Sequence, residues 1–134
     1  MGDDVLSELL RANDVFYGVF AAGDIEGMDA LWAVRAPVAC IHPGWPALHG
    51  REQVMSSWRE ILLDGEAPEI RCEQPYAFAV GDAGIVTCVE RFADAALAAT
   101  NVFARENGLW HLVHHQAGPL QPAEVDFDPG QTIN

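Results

Sequence analysis

Residues 37–50 read PVACIHPGWPALHG. The segment opens as a short strand, Val38 to Ile41. It then sets His42 against Pro43, turns at Gly44, and carries Trp45, Pro46 and His49 before Gly50. A titratable side chain at a strand end, framed by Trp and Pro, marks the mouth or wall of a pocket. The residues before the segment have helical periodicity, and most residues after Asp64 have strand periodicity. The segment is therefore the junction between a helical layer and a sheet.

Upstream, Leu6, Leu9, Leu10, Phe16, Tyr17 and Phe20 recur at three- and four-residue spacing, which predicts an amphipathic helix over Asp3 to Ala22. Asp3, Asp4 and Glu8 suit the positive end of its dipole. Gly23 is placed to cap it, and Asp24 to cap a second helix running through Ala33 with Ile25, Met28, Leu31 and Trp32 inward. Downstream, Val54, Trp58, Ile61 and Leu62 form the buried face of a third helix, Arg51 to Leu63. Asp64-Gly65 ends it and Pro68 prevents its resumption.

The rest alternates with period two. Strands are predicted over Glu69 to Val80 (interrupted at Pro75), Ile85 to Phe92, Leu97 to Arg105 and Leu109 to Ala117. Turns fall at Gly81 to Gly84, Ala93 to Ala95 and Glu106-Asn107-Gly108. Such short turns imply an antiparallel meander. The fold class is α+β: a curved antiparallel sheet packed against three N-terminal helices and shaped as a cone, whose concave face is the natural ligand site. Residues 1–118 form one domain, and 119–134, rich in Pro and acids, an extended arm.

The chain has 134 residues, half of them hydrophobic, with 20 acids against 7 basic residues and a formal net charge of -13. That surface repels phosphates and anionic headgroups, so neither nucleic acid nor membrane is an expected partner. Cys40, Cys72 and Cys88 lie in apolar strand-like runs, odd in number and without disulfide-framework spacing. Small buried hydrophobes in a reducing cytoplasm is their reading. The N-terminus lacks the basic and apolar regions of a signal peptide, and no apolar run nears the ~20 residues that span a bilayer.

Several residues together resemble a known superfamily. They are Ala22-Gly23-Asp24-Ile25 between the first two helices, Leu31-Trp32, His42-Pro43-Gly44, Gly50-Arg51-Glu52 with Trp58, and the strand Gly108-Leu109-Trp110-His111-Leu112-Val113-His114-His115. From Val5 to Pro119 the chain is similar to the SnoaL-like and ketosteroid-isomerase-like group of the nuclear transport factor two-like superfamily. The resemblance implies a homodimer through the exposed sheet face and a small apolar ligand in the cone. Steroid isomerases use an Asp base with a Tyr and a protonated Asp around the oxyanion. By position these fall on His42, Phe16 and Asn101, and all three differ. Phe16 cannot donate a hydrogen bond, and Tyr17 lies about 100° around the helix from it.

His42 is the candidate general base, because a neutral imidazole suits proton transfer near neutral pH. Asn101 is the candidate oxyanion donor and His115 an auxiliary group. Each could instead be a buried polar residue satisfied by its neighbours. Alternation places His111, Val113, His115 and Ala117 on one face, and Trp110, Leu112, His114 and Gln116 on the other. Phe16, Tyr17, Phe20, Trp32, Trp45, Trp58, Phe103 and Val113 are the candidate ligand-lining residues. Zinc would want three or four convergent ligands, and neither CxxC nor HExxH occurs, so no metal or other cofactor is expected. Two functions compete on these residues: a cofactor-independent isomerase, cyclase or hydratase, and a non-catalytic ligand sensor or dimeric assembly module.

Overall fold

The computed structural model describes residues 2–63 and 69–121. Three helices, α1 (Gly2–Ala22), α2 (Ile25–Leu31) and α3 (Arg51–Leu63), cover a six-stranded sheet. Its strands are β1 (Ala39–Ile41), β2 (Leu48–His49), β3 (Arg71–Val80), β4 (Ala83–Arg91), β5 (Ala96–Glu106) and β6 (Leu109–Pro119). In space they lie in the order β2-β1-β6-β5-β4-β3. The turn residues of the β3 to β6 meander dictate antiparallel pairing, and the register follows it. At the β5–β6 turn both Asn107 and Gly108 have positive φ, 54° and 79°, the backbone a tight hairpin demands.

The sheet is mixed, because β1 pairs with β6 in parallel. The chain enters β1 from the helical layer, so β1 joins the sheet by a crossover and not by a hairpin. β2, formed inside the 37–50 segment and not anticipated, folds back antiparallel on β1. The segment thus seals the end of the sheet that carries His42.

Leu9, Asn13, Phe16, Tyr17 and Phe20 make the buried stripe of α1. Gly23 ends that helix at φ 65°, its N–H on the Phe20 carbonyl and the Asp24 N–H on that of Val19. Asp24 caps α2 by accepting from Gly27 N at 3.0 Å. α2 stops at Leu31, two residues short of the expected Ala33. Trp32 instead bridges to Leu112, and the Ala33 N–H bonds the Leu112 carbonyl. The Glu106 carboxylate accepts from the N–H groups of Val34, Arg35 and Ala36 at 2.8–2.9 Å. These bonds draw its titration below the usual carboxylate range. Arg51 ties the start of α3 to the end of α2 through Asp29 Oδ1 and the Trp32 carbonyl.

β6 runs to Pro119 and so takes in Gly118 and Pro119. The expected helix stop at Asp64 to Pro68, and the arm from Pro122 onward, lie outside the described residues. Two bulges reshape the strands. Between Glu73 and Tyr76 the β3–β4 register shifts at Gln74 (φ 55°) and Pro75. In β6, Val102 pairs with His114 and Phe103 with Leu112, so Val113 is an extra residue. The simple alternation expected for β6 therefore fails there: Leu112 and His115 share the buried face, while Val113 is half-buried. Among the described residues, no helix is long and apolar enough to cross a membrane.

Candidate functional site

The inward face of the sheet carries Cys40, Val86, Cys88, Glu90, Ala99, Asn101, Phe103, Leu112, His115 and Ala117, all buried under the helices. Inside this cone lie two groups of polar side chains.

The first sits at the strand end of the 37–50 segment. His42, 3% exposed, has Nε2 at 2.8 Å from Ser57 Oγ on α3. Ser57 Oγ is also 2.6 Å from the Val54 carbonyl. A hydroxyl has one proton, and that carbonyl can only accept. Donation from Ser57 to Val54 leaves the Ser57 lone pairs for His42, which must then carry its proton on Nε2. Its Nδ1 lone pair has no nitrogen or oxygen partner among the described residues; the Cys40 sulfur lies 4.0 Å away. Burial lowers His42 from 6.5 to about 4, so the ring is neutral. The same burial pushes the Cys40 thiol up to about 12. Trp45, half-buried in the loop after His42, packs edge-on against the imidazole at 5.0 Å between centroids, and Trp58 does so from α3 at 4.8 Å.

The second group lies deeper. His115 Nδ1 is 2.6 Å from Asn101 Oδ1. The Asn101 amide nitrogen donates to Asn13 Oδ1 at 2.8 Å and to Tyr17 Oη at 3.2 Å. Because the amide oxygen can only accept, His115 donates from Nδ1, and its Nε2 lone pair faces Glu90 Oε2 at 3.7 Å. Tyr17 donates to Glu90 Oε2 at 2.7 Å and accepts from the Cys88 thiol at 3.2 Å. Burial raises Glu90 to about 7, partly opposed by the Tyr17 hydrogen bond. Burial, then the neighbouring His42 and His114, lower His115 to about 3. Tyr17 is pushed far up by burial and by the Glu90 charge. The low-dielectric cone thus favours the uncharged forms of Glu90, His115 and Tyr17.

The two groups face each other across an aromatic box. The His42 and His115 ring centroids are 6.3 Å apart, with Trp58, Phe16 and Phe20 packed around them. Trp58 Nε1 is buried without a hydrogen-bond partner among the described residues. The fold therefore brings together His42, Asn101, His115, Phe16, Tyr17, Phe20, Trp45 and Trp58. Trp32 and Phe103 are buried core residues without an aromatic contact to this cluster among the described residues. Val113 lies at the bulge, half-buried against the core. A surface concavity of about 750 Å³ adjoins the first group and is lined by Trp45, His49, Gln53, Ser57 and Glu60, among others.

Glu90, Asn13 and Ser57 were not among the residues singled out from the sequence. Glu90 had a readable signal: it is in phase with Val86 and Cys88, so strand alternation turns an acid into the core. Ser57 follows Val54 by three residues and precedes Trp58 on the buried side of α3. Asn13 lies four residues from both Leu9 and Tyr17 on the buried stripe of α1.

A structure from Streptomyces avermitilis, provisionally assigned as a dehydratase of the NTF2-like family, is 30% identical, with a TM-score of 0.83 over 90% of this chain and 99% of that one. A provisionally assigned calcium/calmodulin-dependent protein kinase type II association domain from Thiobacillus denitrificans is 34% identical, with a TM-score of 0.69 over 82% and 93% of the two chains. The F-box protein SKIP8 of Arabidopsis thaliana is 24% identical over 84% of this chain. The chain spans about half the length of that curated relative, 49%. Residues 9–122 match the SnoaL-like domain. That match takes in most of the helical cover, the His42 segment and the whole meander, and the chain belongs to the SnoaL-like domain family.

Proposed function

We propose that the cone is a cofactor-independent acid–base active site for a small, mostly apolar carbonyl compound, which it isomerises or dehydrates. The observation that carries this reading is the His42 ring, fixed by Ser57 so that the Nδ1 lone pair meets only the Cys40 sulfur, 4.0 Å away, beside an aromatic box. His42 acts as the general base on a carbon acid next to the carbonyl. Glu90, raised to about 7, carries a proton in part of the molecules at neutral pH and can return it to the substrate. Asn101 spends both amide hydrogens on Asn13 and Tyr17, so it acts by holding Tyr17 and His115 in place. Phe16, Phe20 and Trp58 supply the apolar walls, and Trp45 covers His42 on the side of the adjoining concavity. The 30% identity to a provisionally assigned dehydratase supports the same reaction class.

The test needs no knowledge of the natural substrate. Simple cyclic and aryl ketones are incubated with the protein in deuterium oxide, and deuterium entry next to the carbonyl is followed by NMR. General-base catalysis is worth roughly 10²–10⁴-fold. The native chain should accelerate exchange on at least one ketone, and His42→Ala should lose that acceleration. Equal exchange by the two proteins would defeat the assignment of His42.

A second reading, an assembly module, has its own observation. Tyr76 and Val80 are exposed at 67% and 61% on the outer face of β3, with Phe78 between them, and an association domain is 34% identical. We propose that this face forms a homodimer, which is compatible with the enzyme reading. Sedimentation of Phe78→Asp beside the native chain separates dimer from monomer. The net charge of -13 disfavours nucleic acid and membrane partners, and three free cysteines suit a reducing cytoplasm.

A further inference from the structure

Cys72 and Cys88 take no part in the chemistry proposed above. Cys72 pairs across β3–β4 with Glu90, and Cys88 precedes Glu90 by two residues on the same inward face, so the two cysteines are diagonal neighbours. Diagonal positions lie about 7–8 Å apart, somewhat less between Cβ atoms, and a disulfide needs Cα atoms within roughly 7 Å. The bulge between Glu73 and Tyr76 interrupts the pairing one residue beyond Cys72 and lies opposite Cys88, so no regular ladder pair separates the two cysteines beyond Glu73–Val89.

The thiols already interact. Each thiol is the largest influence on the other, lowering Cys88 and raising Cys72 from the ordinary thiol range. Cys72 is half-buried, whereas Cys88 is 6% exposed. Cys72 accepts from Asn13 Nδ2 at 3.4 Å, and Cys88 donates to Tyr17 Oη at 3.2 Å. Cys40 stands apart, against His42.

We propose that Cys72 and Cys88 are an oxidisable pair that hydrogen peroxide converts to an intrachain disulfide. The Cys88 thiol gives up its proton and its sulfur attacks one peroxide oxygen; the O–O bond breaks, the leaving hydroxide takes up that proton to become water, and Cys88 becomes a sulfenic acid. Cys72 gives up its proton and attacks the Cys88 sulfur. The S–O bond breaks, and the departing hydroxide takes up a proton. Two thiols and one peroxide yield one disulfide and two waters. The cross-link removes the thiol proton donated to Tyr17 and the thiol that faces Asn13, so oxidation reaches the polar group inside the cone.

The experiment treats the full chain with hydrogen peroxide, alkylates it after unfolding, and digests it with trypsin. Arg71 and Arg91 flank a peptide, 72–91, that holds both cysteines. The expected product is this peptide lighter by two hydrogens and unalkylated, returning to two alkylated thiols after reduction, with Cys40 alkylated throughout. Cys72→Ser and Cys88→Ser should each abolish that product. Two alkylated thiols in peptide 72–91, added oxygen on either cysteine as the main product, or a cross-link between chains would each overturn the proposal.

Discussion

Tyr17 Oη donates to Glu90 Oε2 at 2.7 Å, joining the first helix to the fourth strand inside the cone. The same phenol oxygen accepts from Asn101 and Cys88. Tyr17→Phe therefore leaves a buried carboxyl without its donor and two buried donors without an acceptor. We expect a loss of roughly 1–3 kcal/mol in urea unfolding. Because the Tyr17 bond lowers the Glu90 titration, the variant should also move Glu90 further up, readable by carboxyl carbon NMR. An unchanged Glu90 titration would show that the bond is absent in solution.

Three buried groups set opposing pH dependences. Burial raises Glu90 from 4.5 to about 7. Between those values the folded chain holds a proton that the unfolded chain has released, so stability falls as pH rises. Burial lowers His42 and His115 from 6.5 to about 4 and about 3. Below 6.5 the unfolded chain takes up protons that the folded chain refuses, so stability falls as pH drops. From pH 4.5 to 6.5 the unfolded state gains two protons at the histidines and lacks one at Glu90. From these groups the unfolding free energy should rise by about 1.4 kcal/mol per pH unit. The Glu90 contribution reverses the trend just above that window, which puts the maximum near pH 7. Glu90→Gln should steepen the rise to about 2.7 kcal/mol per unit and remove the reversal. Urea titrations across this range decide it, and an identical slope in the two proteins would refute it.

Trp45 is the removable part of the His42 environment. Trp45→Ala admits water to the imidazole and should raise its titration from about 4 toward 6.5, because desolvation is what lowers it. Ring NMR of the histidines measures this directly. A His42 value still near 4 would mean that Trp58 and Ser57 alone exclude solvent.

The order of elements was legible because it rests on local signals: the 3.6-residue stripes of α1 and α3, and the Glu106-Asn107-Gly108 turn. The approach of His42, Asn101 and His115 was reached by resemblance, and their contacts were not legible. The parallel β1–β6 pairing depends on where a crossover lands, which no local periodicity encodes. The Val113 bulge is a property of two strands together, so alternation along β6 alone assigned Leu112 to the wrong face. Tyr17 was readable as part of the α1 stripe, yet its partner Glu90 lies on another element and appears only once β4 is set beneath that helix.

The seat of α1 on β4 depends on a missing side chain. A Cβ on Gly84 would collide with the Leu9 side chain, which is fully buried. Gly84→Ala should cost about 1–3 kcal/mol by overpacking. Leu9→Ala opens a cavity on its own but should be less damaging in the Gly84→Ala background. A double-mutant cycle in urea measures the coupling, and strict additivity would show that the two residues do not touch.

The bulge at Gln74 and Pro75 bears on how the molecule avoids its own kind. β3 is a terminal strand of the sheet, with one row of backbone groups unpaired among the described residues and an apolar outer face at Tyr76 to Val80. A long, regular border of this sort is a template for fibril growth. Pro75 offers no amide proton, and Gln74 bends the chain into the left-handed region. The border is thereby cut into two short runs, too short and too misaligned for another strand to dock along its whole length.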